Sequence, residues 1–202
     1  VTMGIPKLSE QPLSFARHPL VYLVEAADDI CYQIMDVEDA HKLGILSADF
    51  VYELFLSFFD SKSDAETLRK IKTTLIEVQD KNEQIAFLRA LVIGKLTRGC
   101  SKAFEASYQR IMEGELVTSL IDQIDPIESR ALERIKGIAV EKIYNHRTVV
   151  EIELAGFQII GTLLDYFCNA ITNPEDSYSS KIIRLIPPQF IPDDKSIYLR
   201  LM

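Results

Sequence analysis

Residues 19–43 bring an apolar side chain round to one side at almost every turn of a 3.6-residue period, through Leu20, Leu23, Val24, Ala27, Cys31, Ile34, Met35 and Val37. A strand, whose side chains alternate with a period of two, has no use for that spacing. Pro19 suits the first turn of a helix and Gly44 its end. The same period returns after Ser47 with Phe50, Val51, Leu54, Phe55 and Phe58, and again within 61–79 with Leu68, Ile71, Leu75, Ile76 and Val78. Residues 82–112 read as one long helix or as two joined near Gly94 or Gly99, and 126–144 and 148–170 as two more. No strand alternation of useful length and no internal repeat interrupts the series. The pattern predicts an all-α fold in a single helical domain, 1–202. Residues 1–16 form an irregular lead-in broken by Pro6 and Pro12, and 174–202 a less regular tail with a helix near 179–186.

Composition fits an ordered protein with a core: 48% of the 202 residues are hydrophobic and 26% charged. The net charge of −8 argues against a broad nucleic-acid surface, which needs clustered Lys and Arg, but leaves room for a small anion held by a few local cations. Cys31, Cys100 and Cys168 have no pairing or CxxC spacing, so a reducing, cytoplasmic setting is expected. The longest apolar stretch, 149–167, is interrupted by Glu151, Glu153, Gln158 and Asp165, which speaks against a membrane span. A first residue of valine suggests a fragment.

Asp28, Tyr32 and Asp36 lie at i, i+4 and i+8 of the first helix, along one stripe roughly 12 Å long. Leu20, Leu23, Val24, Ala27 and Cys31 flank them, so the stripe is expected to border a buried face. Carboxylates there need a cation or hydrogen-bond donors. Asp29 is turned about 100° away and is expected to support the fold or the site's surroundings. On helical spacing alone, the stripe reads as solvated acids on a helix surface rather than as a site.

The longer string decides between those readings. Residues 17–39, RHPLVYLVEAADDICYQIMDVED, strongly resemble the signature of bacterial dGTPase-like enzymes, the deoxynucleoside triphosphate triphosphohydrolases of the HD superfamily. The resemblance implies an HD-domain-like helical bundle. It also implies one metal ion, Mg²⁺ or Mn²⁺, held by a histidine, a His-Asp pair and a later aspartate that matches Asp28. By the same match Tyr32 packs on the deoxyribose and Asp36 bonds its 3′-hydroxyl. A second matching segment, IKGIAVEKIYNH at 135–146, sets a lysine eight residues before a tyrosine. There Lys136 matches a phosphate-contacting cation, and Tyr144 and Asn145 the sugar and base end of the pocket. Without the resemblance, Lys136 and Tyr144 equally suit the surface and core positions of an amphipathic helix.

The family's H…HD ligands have no counterpart here. Only His18, His41 and His146 are present, and none is followed by Asp. His18 suits packing or capping, and His41 a favourable charge at a helix end. His146, beside Tyr144, suits a phosphate contact. The expectation is therefore a fragment lacking the N-terminal H…HD helices, inactive alone, with its catalytic residues upstream of Val1. The longer parent is expected to hydrolyse dNTPs, dGTP among them, to deoxynucleoside and triphosphate, as a homo-oligomer. Two rivals stay open: an HD-type phosphohydrolase acting on another nucleotide, and a non-catalytic helical module for regulation or assembly.

Overall fold

Why the first helix begins at Pro19 is visible in its cap. His18 has extended backbone, its Nδ1 accepts from Leu20 N at 3.2 Å, and proline fills the first helical position, where an N–H would lack a partner anyway. The computed structural model describes residues 7–10 and 12–190; the irregular chain expected at 1–6 and the end of the tail, 191–202, lie outside them. Where the prolines predicted irregular chain, a short antiparallel hairpin forms instead, β1 (Lys7–Glu10) with β2 (Leu13–Phe15). Pro12 sits in its turn, a position that asks for no backbone donor. The remaining described secondary structure is helical.

Helix α1 (Pro19–Lys42) buries Tyr22, Ala26, Ile30, Ile34, Val37 and Ala40. This corrects the expected face. Leu20, Leu23, Val24, Ala27 and Cys31 are exposed, Val24 at 68%. Apolar residues cover more than half of α1's circumference, and periodicity cannot say which part of so wide a band meets the core. The partner does: α4 (Lys81–Ala106) lies along α1 and buries Ile85, Leu88, Val92, Leu96, Cys100 and Ala103 in the same cluster. Burying each Ile or Leu there contributes about 1.5–3 kcal/mol. Between them comes α2 (Ala48–Leu56), started by Ser47, whose Oγ accepts from Phe50 N. The amphipathic α3 (Ala65–Glu77) buries only Ile71 fully. Asp80 then caps α4 by accepting from Asn82 N at 2.8 Å and Glu83 N at 2.9 Å.

Of the two readings of 82–112, one helix without a break at Gly94 or Gly99 is the one that holds, as far as Ala106. α4 runs through both glycines, and only at Ser107 does the chain turn into the short α5 (Tyr108–Met112). Gly99 serves packing instead. A Cβ there would come within 2.9 Å of Glu128 Oε2 and 3.2 Å of Ile124 Cγ2, so its bare backbone is what admits the chain at 124–128. Asp125 and Pro126 begin α6 (Pro126–Ile138), which continues into a wider turn at Ala139–Ile143.

The chain divides into two compact units, one up to Asn145 and one from His146. The second consists of α7 (Arg147–Thr172), α8 (Ser177–Ile183) and a final turn at Pro188–Phe190. Asp176 caps α8, and Ala170, Ile171 and Ser179 are buried where α7 meets it. Along the rest of α7 the apolar side chains stand exposed, Phe157 at 80%. By length and mean composition α7 could cross a bilayer, with a mean hydropathy of 1.3 in its most apolar part.

Candidate active site

Three of the expected side chains meet. Asp36, half-buried on α1, accepts a hydrogen bond from the Tyr144 hydroxyl at 2.7 Å, across 108 residues of sequence. Tyr32, one turn earlier on α1, places its ring 6.4 Å from that of Tyr144, tilted by 40°. The Tyr144 hydroxyl is pushed well above its ordinary range, first by burial and then by the negative charge of Asp36 and the nearness of Tyr32. Tyr144 is therefore a firm proton donor at neutral pH. It holds Asp36 by Oδ2, while Oδ1 makes no hydrogen bond among the described residues. The cluster offers a tilted aromatic surface beside a carboxylate oxygen, which suits a flat apolar group carrying a hydroxyl.

Asp28 lies one turn before Tyr32 and opens onto a cleft of about 600 Å³. Arg17, Glu25, Asp29, Ser119 and Asp122 share its walls, with Arg17 Nη1 donating to Glu25 Oε2 at 2.8 Å. Burial raises the Asp29 carboxyl above its usual value; Lys136 opposes this, while Asp28, Glu25 and Asp122 add to it. Asp29 thus lines the same cleft as Asp28 rather than turning away. Four carboxylates against one guanidinium favour a cation there over a bare phosphate. Sequence reading missed Glu25 and Asp122. Glu25 could have been found, since it lies three residues before Asp28 on the same helix face; Asp122 sits in a short 3₁₀ turn and carried no local signal.

The remaining candidates are dispersed. Lys136 Nζ bonds Glu133 Oε1 at 2.8 Å, with its charge felt at Asp29. Asn145 Nδ2 donates to Val140 O at 2.6 Å. His146 occupies the cap position of α7 without a side-chain cap bond, at the start of the second unit. His41 Nδ1 lies 3.0 Å from Leu46 O, and His18 caps α1. Among the described residues no three histidine, cysteine or carboxylate side chains converge on a point that could hold a metal ion.

A larger cleft, about 700 Å³, lies elsewhere on the first unit, beside Asp60, Asp64, Lys95, Arg98 and Glu128. Its main cation is already engaged: Lys95 Nζ bonds Asp64 at 2.7 Å and lies 3.5 Å from Glu128. That network ties the chain after α2 to α4 and α6.

No family model matches the chain. Curated relatives do. A deoxyguanosinetriphosphate triphosphohydrolase-like protein of Pseudomonas aeruginosa is 32% identical over 168 residues, 83% of this chain and 36% of that protein. Another of that description, from Synechocystis, is 28% identical over 204 residues, 96% of this chain and 42% of that protein. A deoxyguanosinetriphosphate triphosphohydrolase of Yersinia pestis is 26% identical over 83% of this chain and 35% of its own length. The chain spans about two fifths of the length of these relatives.

Proposed function

The chain is homologous to the deoxyguanosinetriphosphate triphosphohydrolase-like proteins, and from that kinship we propose that it forms the sugar-binding part of an HD-type enzyme that hydrolyses dNTPs, dGTP among them, to deoxynucleoside and triphosphate. The observation that carries the reading is the meeting of Tyr32, Asp36 and Tyr144, residues picked out by the two matching segments and lying 108 residues apart at their closest bond. In the proposed complex the deoxyribose lies on the Tyr32 ring. A ring flat against C2′ leaves no space for a 2′-hydroxyl and offers it no partner. The 3′-hydroxyl donates to Asp36 Oδ1 while Tyr144 keeps Oδ2 occupied, so the carboxylate is already oriented when substrate arrives. Lys136, exposed beside Asp29, neutralises phosphate charge, and Asn145 adjoins Tyr144 at the sugar and base end.

The reaction calls for a Mg²⁺ or Mn²⁺ ion with Asp28 among its ligands, to polarise phosphate and orient water. The described residues do not fit such a centre by themselves, so Asp28 would need further ligands from elsewhere in the protein. Free Cys31, Cys100 and Cys168 support a reducing, cytoplasmic setting. The exposed apolar side chains of α1 and α7 support assembly into a homo-oligomer.

Product analysis tests the reading. A protein carrying this chain at the relatives' full length is incubated with dGTP and Mn²⁺ or Mg²⁺. Deoxyguanosine and tripolyphosphate in equal amounts are expected. Release of dGDP with phosphate, or of dGMP with pyrophosphate, would place the cleavage at another bond and overturn it.

A further inference from the structure

The turn that delivers Tyr144 is wound wider than an α-helix. From Ala139 to Ile143 the backbone is π-helical, and Tyr144 N donates to Ala139 O, five residues back, at 2.8 Å. One π turn adds a residue relative to α register and so rotates the following side chains by about 100° around the axis. Tyr144 is the first residue after that turn, and its hydroxyl reaches Asp36. The wide turn has a cost at Val140. In an α-helix Tyr144 N would donate to Val140 O; here it is engaged by Ala139 O. The Asn145 side-chain amide takes its place, donating to Val140 O at 2.6 Å.

We propose that Asn145 is a positioning residue, whose amide closes the π turn on Val140 O and thereby holds the Tyr144 hydroxyl on Asp36. The role rests on the reading of Tyr144 and Asp36 as the sugar end of a nucleotide site. It differs from a direct contact between Asn145 and the nucleotide, because here the amide acts on substrate only through Tyr144. A side chain at this position needs a donor and the reach of one methylene. Leucine or serine would give size without a donor, or a donor without reach.

The test reads Tyr144 directly. In the chain labelled with ¹³C at the tyrosine Cζ, the Tyr144 resonance is assigned by its loss in Tyr144→Phe. Asn145→Asp keeps the shape, removes the donor and sets a carboxylate against a carbonyl. It is expected to move the Tyr144 resonance towards that of a solvent-exposed tyrosine, while Tyr22, buried on α1 and bonded to Leu116 O, stays in place. Asn145→Gln, which keeps a donor, should recover part of the shift. Deleting exposed Glu141 takes one residue out of the wide turn and should move Tyr144 as far as Asn145→Asp does. Should Asn145→Asp fail to fold, Asn145→Leu, which removes the donor without adding a charge, gives the same reading.

The kinetic arm uses the full-length protein. Tyr144→Phe and Asn145→Asp should each lower kcat/KM for dGTP by roughly tenfold or more, the scale of a lost hydrogen bond to a charged group. The double variant should be no worse than either single one, since both act through one bond. An unmoved Tyr144 resonance in the folded Asn145→Asp chain overturns the proposal. So do losses that multiply in the double variant, the mark of an independent contact. A resonance that moves as expected in a protein that does not cleave dGTP upholds the positioning role and refutes the nucleotide reading of the site.

Discussion

A carboxylate held by one oxygen makes Asp36 the most exacting residue of the site. Tyr144 donates to Oδ2, leaving Oδ1 for a hydroxyl. A charge-assisted bond of that kind contributes about 1.5–3 kcal/mol, so Asp36→Ala in the full-length protein should weaken discrimination against 2′,3′-dideoxy-GTP by roughly one to two orders of magnitude. Tyr32→Ala should instead narrow the preference for dGTP over GTP, because it removes the surface proposed to exclude a 2′-hydroxyl. The measurement is kcat/KM for dGTP, GTP and 2′,3′-dideoxy-GTP on each variant; unchanged ratios in both would place the pocket elsewhere. Asp28→Asn removes charge with little change in volume and should abolish most activity while leaving the helical fold intact; retained metal content and rate would refute its role as a ligand. Asp28, Tyr32 and Asp36 were singled out by the string at 17–39, since helical spacing alone gives them as a helix surface with solvated acids. Tyr144 was legible only through the family's lysine-to-tyrosine spacing, since nothing local to 135–146 says that its hydroxyl crosses to α1.

Helices were plain in the sequence from their period and caps; the face each one buries was not. On α1 the band from Leu20 to Cys31 reads as apolar as the band from Tyr22 to Val37, and only α4's position chooses between them. The polar seam between these two helices was equally hidden. Glu38, buried on α1, is bonded by Arg89 of α4 and by Lys42 at 3.0 Å. Burial alone would raise its carboxyl, but the hydrogen bonds and charges of Lys42 and Arg89 outweigh this and hold it below the usual value of 4.5. A lowered folded value means that the stabilisation is present above pH 4.5 and fades as pH falls through the folded value. Glu38→Gln should therefore flatten the acid side of the stability profile below pH 4.5. Glu38→Ala, which strands Arg89, should cost about 3 kcal/mol at pH 7 by chemical denaturation. Gly99 was one of two places where the sequence allowed a joint between helices; in the structure it lies inside α4 and faces Glu128 and Ile124. Gly99→Ala should destabilise the chain by about 1–3 kcal/mol through the clash with Glu128 and Ile124, whereas a helix-propensity effect alone would stabilise it.

At the scale of the whole chain, the family was readable from one long string, while the helical fold needed only periodicity. A metal centre is not assembled among the described residues: no group of three histidine, cysteine or carboxylate side chains that could hold an ion forms there, around Asp28 or elsewhere. The 202 residues alone are therefore expected not to release triphosphate from dGTP, and turnover at the rate of the full-length protein would refute that expectation. The bare apolar side chains along α7, from Ile152 through Phe157 and Ile160 to Leu164, carry a practical consequence. Water bears against them whenever this chain is made by itself. An environment-sensitive dye should brighten in its folded state, before any denaturant is added. Expression should also crowd chaperones and inclusion bodies until substitutions such as Phe157→Gln and Ile160→Gln make that surface wettable.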